Sequence, residues 1–241
     1  MRHFASLYDE LMEEVPYSQW LEYTKKNVPA GAEIVDTACG TGSFTLLLEK
    51  EGFKAHGVDI SGEMLAEAEQ KARAEGSGIS FYEQNMTELD GFENMDAVTL
   101  FCDGLNYLPS REEVQQTFRR AAASLKPGGV FLFDVHSVHK MENEFFEQLY
   151  GEDRDHLTYM WYCEPGEEPM SVHHILTFFL KKENGNYERY DEELYQRTFE
   201  PSLYKEWLEE AGFYKIELSG DFGKKNPGPE DDRYFFKAVK K

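Results

Sequence analysis

The sequence is short of basic charge, of cysteine and of long apolar runs. Only 25 lysines and arginines stand against 46 aspartates and glutamates, a formal net charge of −21 at pH 7. That excess repels phosphate backbones. The basic pairs Lys25-Lys26, Lys181-Lys182, Lys224-Lys225 and Lys240-Lys241 are too short to offset it, so nucleic acid is disfavoured as a partner. The three cysteines, Cys39, Cys102 and Cys163, match no zinc spacing and no disulfide framework. No apolar run approaches the ~20 residues needed to cross a bilayer. The first ten residues contain no apolar segment of signal-peptide length. A reducing cytoplasm is the expected compartment. Among the histidines, His136 and His139 are close neighbours and His173 and His174 are adjacent. Adjacent strand residues point to opposite faces, and no further ligand stands at a diagnostic spacing. No metal site is expected.

Ile34 to Leu48 is the most informative stretch (Ile-Val-Asp-Thr-Ala-Cys-Gly-Thr-Gly-Ser-Phe-Thr-Leu-Leu-Leu). Its β-branched start reads as a buried parallel strand. The chain breaks at Cys39-Gly40-Thr41-Gly42 and resumes at Ser43, a candidate cap, with Phe44, Leu47 and Leu48 at helical spacing. Glycine lets a backbone approach a ligand closely. The third glycine of the dinucleotide fingerprint is missing, and Asp36 at the strand end would repel a pyrophosphate. It suits a cation or a hydrogen-bond donor instead.

The rest of the first 150 residues repeats the rhythm. Two helices broken at Pro16 fill 2–27, and strands are expected at 33–38, 53–59, 79–83, 95–102 and 130–135. Helices are expected at 43–51, from Ser61 onward, and at 110–125. Such alternation predicts an α/β fold with a doubly wound, mostly parallel sheet. Between 151 and 200 the pattern becomes β-rich, with strands at 157–163, 172–180 and 187–199 separated by turns at Pro165-Gly166 and Asn184-Gly185-Asn186. This predicts an inserted antiparallel meander. A helix at 201–211 and strands at 213–218 and 234–239 follow. The loop 221–232 leaves no room for a crossover helix, so the last two strands are expected to be antiparallel.

Asp36-Thr37-Ala38-Cys39-Gly40-Thr41-Gly42 resembles the first motif of class I S-adenosylmethionine (SAM) methyltransferases. It departs at Ala38, where the family has glycine and where φ > 0 would be strained. Asp59-Ile60-Ser61, with Met64 and Leu65, is similar to the second motif. The resemblance implies a Rossmann-like seven-stranded sheet with a C-terminal antiparallel hairpin. It divides the chain into a SAM-binding domain, 1–150 with 201–241, and an inserted subdomain, 151–200. It also implies cofactor contacts from Asp36, Ala38, Gly40 and Gly42, with Asp59 accepting the ribose hydroxyls and Ile60 and Met64 flanking adenine. Asn85 and Met86 would lie near the adenine amino group, and Cys102 and Asp103 near the methyl donor. Asp103, Leu105, Asn106, Tyr107 and Leu108, with Tyr8 and Tyr17, resemble a small-molecule subgroup in which both tyrosines touch the cofactor.

The expected reaction is direct methyl transfer from SAM to an N, O or C nucleophile of a small-molecule acceptor. His136, Asn106 and Tyr107 are the candidate catalytic residues. Tyr195 and Arg197 share a face of their strand and are the candidate acceptor contacts. Large side chains on both faces of the insertion, Tyr159 and Trp161 against Met160 and Tyr162, leave room for a second copy of the chain. A tRNA-modifying methyltransferase, a carboxymethyl-donor synthase or a non-catalytic SAM-binding module would share these motifs. An NAD-type oxidoreductase fits them less well.

Overall fold

The computed structural model describes residues 2–241, with side chains from Phe4 onward. Helices α1 (Arg2–Leu11) and α2 (Tyr17–Asn27) precede a regular alternation. It runs β1 (Glu33–Thr37), α3 (Ser43–Lys50), β2 (Lys54–Asp59), α4 (Gly62–Glu75), β3 (Ser80–Glu83), β4 (Met95–Leu100), α5 (Arg111–Ser124) and β5 (Leu125–His136). The insertion carries β6 (Leu149–Asp153), β7 (Leu157–Pro165), β8 (Ser171–Lys181) and β9 (Tyr187–Arg197). Helix α6 (Pro201–Glu210) and strands β10 (Phe213–Ser219) and β11 (Arg233–Lys240) close the chain. No helix among the described residues is long and apolar enough to cross a membrane.

The seven-stranded sheet has the order β3-β2-β1-β4-β5-β11-β10. Strands β1 to β5 pair in parallel, and β11 runs antiparallel to both β5 and β10. This is the Rossmann-like sheet with a C-terminal hairpin. Its centre is dry: Ile34, Val35, Leu100, Phe131, Leu132, Phe133 and Phe236 are buried. The rings of Phe133 on β5 and Phe236 on β11 stack at 4.7 Å, tying the antiparallel strand to the parallel part. The order reverses between β1 and β4, so the crevice outside their carboxyl ends is where a ligand binds in such sheets.

Two local expectations change. Ser43 does not cap α3; Gly42, left-handed at φ 73, takes that position. The Ser43 hydroxyl donates to Asp9 on α1 and accepts from Lys71 on α4. Ala38 does adopt positive φ, at 53. Its methyl occupies the room left by Gly104, where an added Cβ would come within 2.9 Å of it. The bare Gly104 thus makes room for the Ala38 methyl, while the positive φ itself costs about 1–2 kcal/mol.

The second sheet is a four-stranded meander, β6-β7-β8-β9, antiparallel throughout. Its first strand, β6, is exposed along its whole length and shows no apolar alternation, so periodicity could not reveal it. The inner face of the meander carries Leu157, Leu176 and Phe178, which pack with Leu7 and the partly buried Phe4 and Leu11 of α1. The outer face shows Met160 and Tyr162 to solvent. A wide helical turn, Lys140–Phe145, buries Met141 and Phe145 where the chain leaves β5 for the insertion.

Candidate active site

The carboxyl ends of β1, β2, β4 and β5 converge beside α1. At β1, Asp36 is buried, with Oδ2 accepting from Thr45 Oγ1 at 2.6 Å and Oδ1 from Thr99 Oγ1 at 2.8 Å. Burial raises its pKa to about 6 against the pull of those two hydroxyls. One bond from each oxygen thus braces β1 against α3 and β4. At β2, Asp59 accepts from Gly40 N–H at 2.8 Å through Oδ2 and from Ser61 N–H at 2.9 Å through Oδ1. Burial raises its pKa as well, partly offset by these amides. The Ile60 amide adds a third backbone donor, so of the four lone pairs of the carboxylate one acceptor position stays open. The Ser61 hydroxyl caps α4 at Met64 N–H, as expected.

Gly40 has φ 55, and Tyr8 Cε1 lies 3.8 Å from the place of its missing Cβ. A bare backbone surface therefore lies under the Tyr8 ring. Ile60 follows Asp59 and is 65% exposed, which is unusual for a large aliphatic side chain at a strand end. Asn85 turns its Oδ1 to Thr87 N–H at 2.9 Å, and Met86 packs against the main core. Tyr17 packs beside Trp20 on α2, ring centroids 6.2 Å apart.

Beyond the glycine turn lies a cavity of about 380 Å³ between the sheet edge, α1 and the inner face of the insertion. Tyr8, Tyr107, Phe145, Tyr159 and Trp161 give it aromatic walls. Its polar groups are Asp103, His136, Lys140, His174, Gln196 and Arg233. A larger open groove of about 620 Å³ lies on the surface between α2 and β10 and is lined by none of these residues.

The cavity floor is a closed ionic network. Asp134, fully buried in β5, takes Trp20 Nε1–H and Cys102 N–H at 2.9 Å each on Oδ1. Its Oδ2 accepts from Asp103 N–H at 3.2 Å and from Arg233 Nη1. Arg233 Nη2 donates to Asp103 Oδ1 at 2.8 Å, and Gln196 Nε2 to Asp103 Oδ2 at 2.7 Å. His136 Nε2 lies 3.5 Å from the same Oδ2. Burial alone would push Asp103 up, but His136 and Arg233 outweigh it and hold the carboxyl well below the usual range. Cys102 and Asp103 both have positive φ, 53 and 54. This strained turn presents two successive amides to Asp134.

The candidate catalytic residues separate under this geometry. Asn106 is fully buried and bridges His136 N–H, through Oδ1, to the Arg197 carbonyl, through Nδ2. It is a strut without access to the cavity. Tyr107 lines the cavity. His136 lines it too, but its Nδ1 is covered and has no partner among the described residues, so its accessible chemistry is directed at Asp103. Tyr195 and Arg197 do not face the crevice. Tyr195 packs edge-on against His173 at 5.1 Å. Arg197 ties to the Pro109 carbonyl at 2.9 Å and to Glu168 at 3.1 Å. The alternate residues of β9, Leu194 and Gln196, line the cavity instead. A strand has period two, so choosing the wrong face moves every contact by one residue.

Comparison with known proteins identifies the family. The methyltransferase domain model matches residues 34–129, the span from β1 through β5's first turn. A methyltransferase-family protein of Geobacillus sp. (strain WCH70) is 46% identical over 98% of both chains. Another, from Bacillus subtilis (strain 168), is 40% identical over 98% of this chain and 96% of its own. The chain is a class I SAM-dependent methyltransferase. Among solved structures, a SAM-dependent methyltransferase from Clostridium acetobutylicum ATCC 824 superposes with a TM-score of 0.87 at 27% identity. It covers 99% of this chain and 98% of its own, so the methyltransferase shares its whole fold, insertion included, with that structure. SAM is its cofactor.

Proposed function

We propose that this methyltransferase acts on a small molecule held in the cavity beneath the inserted sheet. The observation that carries the reading is the placement of that cavity. It is walled by Tyr8, whose ring also lies beside Gly40 of the glycine turn, it is roofed by the insertion, and at about 380 Å³ it falls within the range of small-ligand sites. Its aromatic walls suit an apolar or ring-shaped body, and its ionised floor suits a polar, nucleophilic end. A net charge of −21 and the roof both work against a polynucleotide.

Asp59 would accept from the ribose hydroxyls, and Ile60 and Met64 would cover the adenine. Gly40 offers its bare backbone beneath Tyr8. Bound SAM supplies a methyl group already activated on a sulfonium. The chain's own work is alignment and exclusion of water. Asp103, kept ionised, can accept a hydrogen bond from the N–H or O–H of the acceptor and so aim its lone pair, while Tyr8, Phe145 and Trp161 keep the space dry.

Two measurements check this. Asp59→Ala should weaken SAM binding by ~2 kcal/mol or more, the range of charge-assisted hydrogen bonds. It should also cost some stability without ligand, because Gly40 N–H loses its partner. Calorimetry showing unchanged affinity would reduce Asp59 to a brace for the turn. Second, methyl-tritiated SAM should label a component of a pooled small-metabolite mixture and leave tRNA unlabelled. Label moving to tRNA alone would overturn the small-molecule reading.

A further inference from the structure

The insertion contributes more than a roof. On its inner face Trp161 Nε1 meets His174 Nδ1 at 3.0 Å. Indole N–H can only donate, so His174 Nδ1 carries the lone pair, and the Cys163 thiol, 3.4 Å from the same nitrogen, can add a weak S–H donor. The neutral imidazole then has its proton on Nε2, which faces Gln196 Oε1 at 3.1 Å. That bond turns the Gln196 amide nitrogen toward Asp103 Oδ2, where it donates at 2.7 Å. His174 and Gln196 are both 3% exposed, so little of either is open to competing partners. One donor-only side chain thus sets a tautomer, the tautomer sets an amide, and the amide meets the carboxylate on the cavity floor. Protonating His174 would set Nδ1–H against the indole N–H. Consistent with this, burial lowers the His174 pKa to about 4 against the opposing pull of Gln196.

We propose that His174 and Gln196 are positioning residues through which the inserted sheet orients Asp103 for the acceptor. Asp103 Oδ2 is shared by Gln196 and His136, whereas Oδ1 belongs to Arg233. The Gln196 donor fixes the plane of the carboxylate and limits how strongly Asp103 draws on His136. The chain begins at Trp161, which also forms part of the cavity wall, so an acceptor pressing on that wall acts on the same relay. The proposal rests on the reading of Asp103 as the group that meets the acceptor, and its test needs no acceptor.

The test is ¹⁵N-histidine NMR on the full chain, with His136 and His174 assigned by His136→Gln and His174→Phe. In the wild type, His174 should remain a neutral Nε2–H tautomer from pH 5 to 8. The reporter is the titration midpoint of His136. Asp103, Arg233, Lys140 and His174 line the same cavity as His136, and Asp134 precedes it on β5. Without the Gln196 donor, Asp103 Oδ2 accepts from His136 alone, while Oδ1 stays with Arg233. Gln196→Leu should therefore raise the His136 midpoint by about half a pH unit or more, the worth of one hydrogen bond. His174→Phe frees Gln196 to turn and should shift it the same way. The double variant should move no further than Gln196→Leu, because the two act in series. A role confined to packing would lower the melting temperature and leave the midpoint in place, and that result overturns the proposal. An Nδ1–H tautomer in the wild type overturns it too, without any variant having to fold. Loss of the small-molecule reading would appear in the labelling experiment and leave the His136 midpoints as they are.

Discussion

Arg233→Met should destabilise the fold by roughly 3–5 kcal/mol at neutral pH, the cost of removing one partner from a buried ionic cluster. The guanidinium bridges Asp134 and Asp103 and sits 5.6 Å from the centre of the Trp20 ring. Methionine fills much of the volume but leaves two carboxylates without their cation. Asp134 keeps Trp20, Cys102 and Asp103 as donors, and Asp103 keeps Gln196, which places the cost inside that range rather than beyond it. The pH signature follows from Asp103. Its folded pKa is depressed, so its stabilisation is present above the unfolded value near 4 and is lost as pH falls through the lower folded value. In the variant that depression shrinks. The gap between parent and variant in urea unfolding should therefore be widest near pH 7 and narrow below about pH 4. A gap under about 1 kcal/mol, or one that does not change with pH, would mean that the network contributes little.

The same cluster shows what a sequence can and cannot convey. The glycine turn, Asp59 and the Ser61 cap were legible because each is local: a strand end, a tight turn and a helix start follow one another within a few residues. Asp134 carried a signal that was passed over. It is a charged residue inside the apolar run Val130 to Val135, and such a residue needs a buried partner. The partner, Arg233, lies on a strand nearly a hundred positions later, and only the antiparallel register of β5 and β11 brings them together. His174 gave a similar hint, a polar residue in the apolar row of β8, whereas the row of Gln196 on β9 also carries Glu188 and Glu192 and gave none. Alternation identifies two faces of a strand but does not say which one turns inward, and the choice of Tyr195 and Arg197 took the wrong one. The positive φ of Ala38 was equally hidden, since the room for its methyl comes from Gly104 on a distant turn. The edge strand β6 has no buried face at all.

The account depends most on the cavity beneath the insertion being the acceptor site, and Leu194→Trp tests that directly. Leu194 lines the cavity from β9 on the same face as Gln196, and none of Gly40, Asp59 and Ile60 is in that lining. An indole in its place would fill space the acceptor needs and leave Gly40, Asp59 and Ile60 untouched. The measurement is methyl transfer to the acceptor found by the labelling experiment, paired with calorimetry of SAM binding on the same preparation. Transfer should fall by about a hundredfold or more, since displacing a reactant by even an ångström costs that much, while SAM affinity stays at the parent value. Transfer at the parent rate by a folded, SAM-binding Leu194→Trp protein would contradict the account and place the acceptor elsewhere on the molecule.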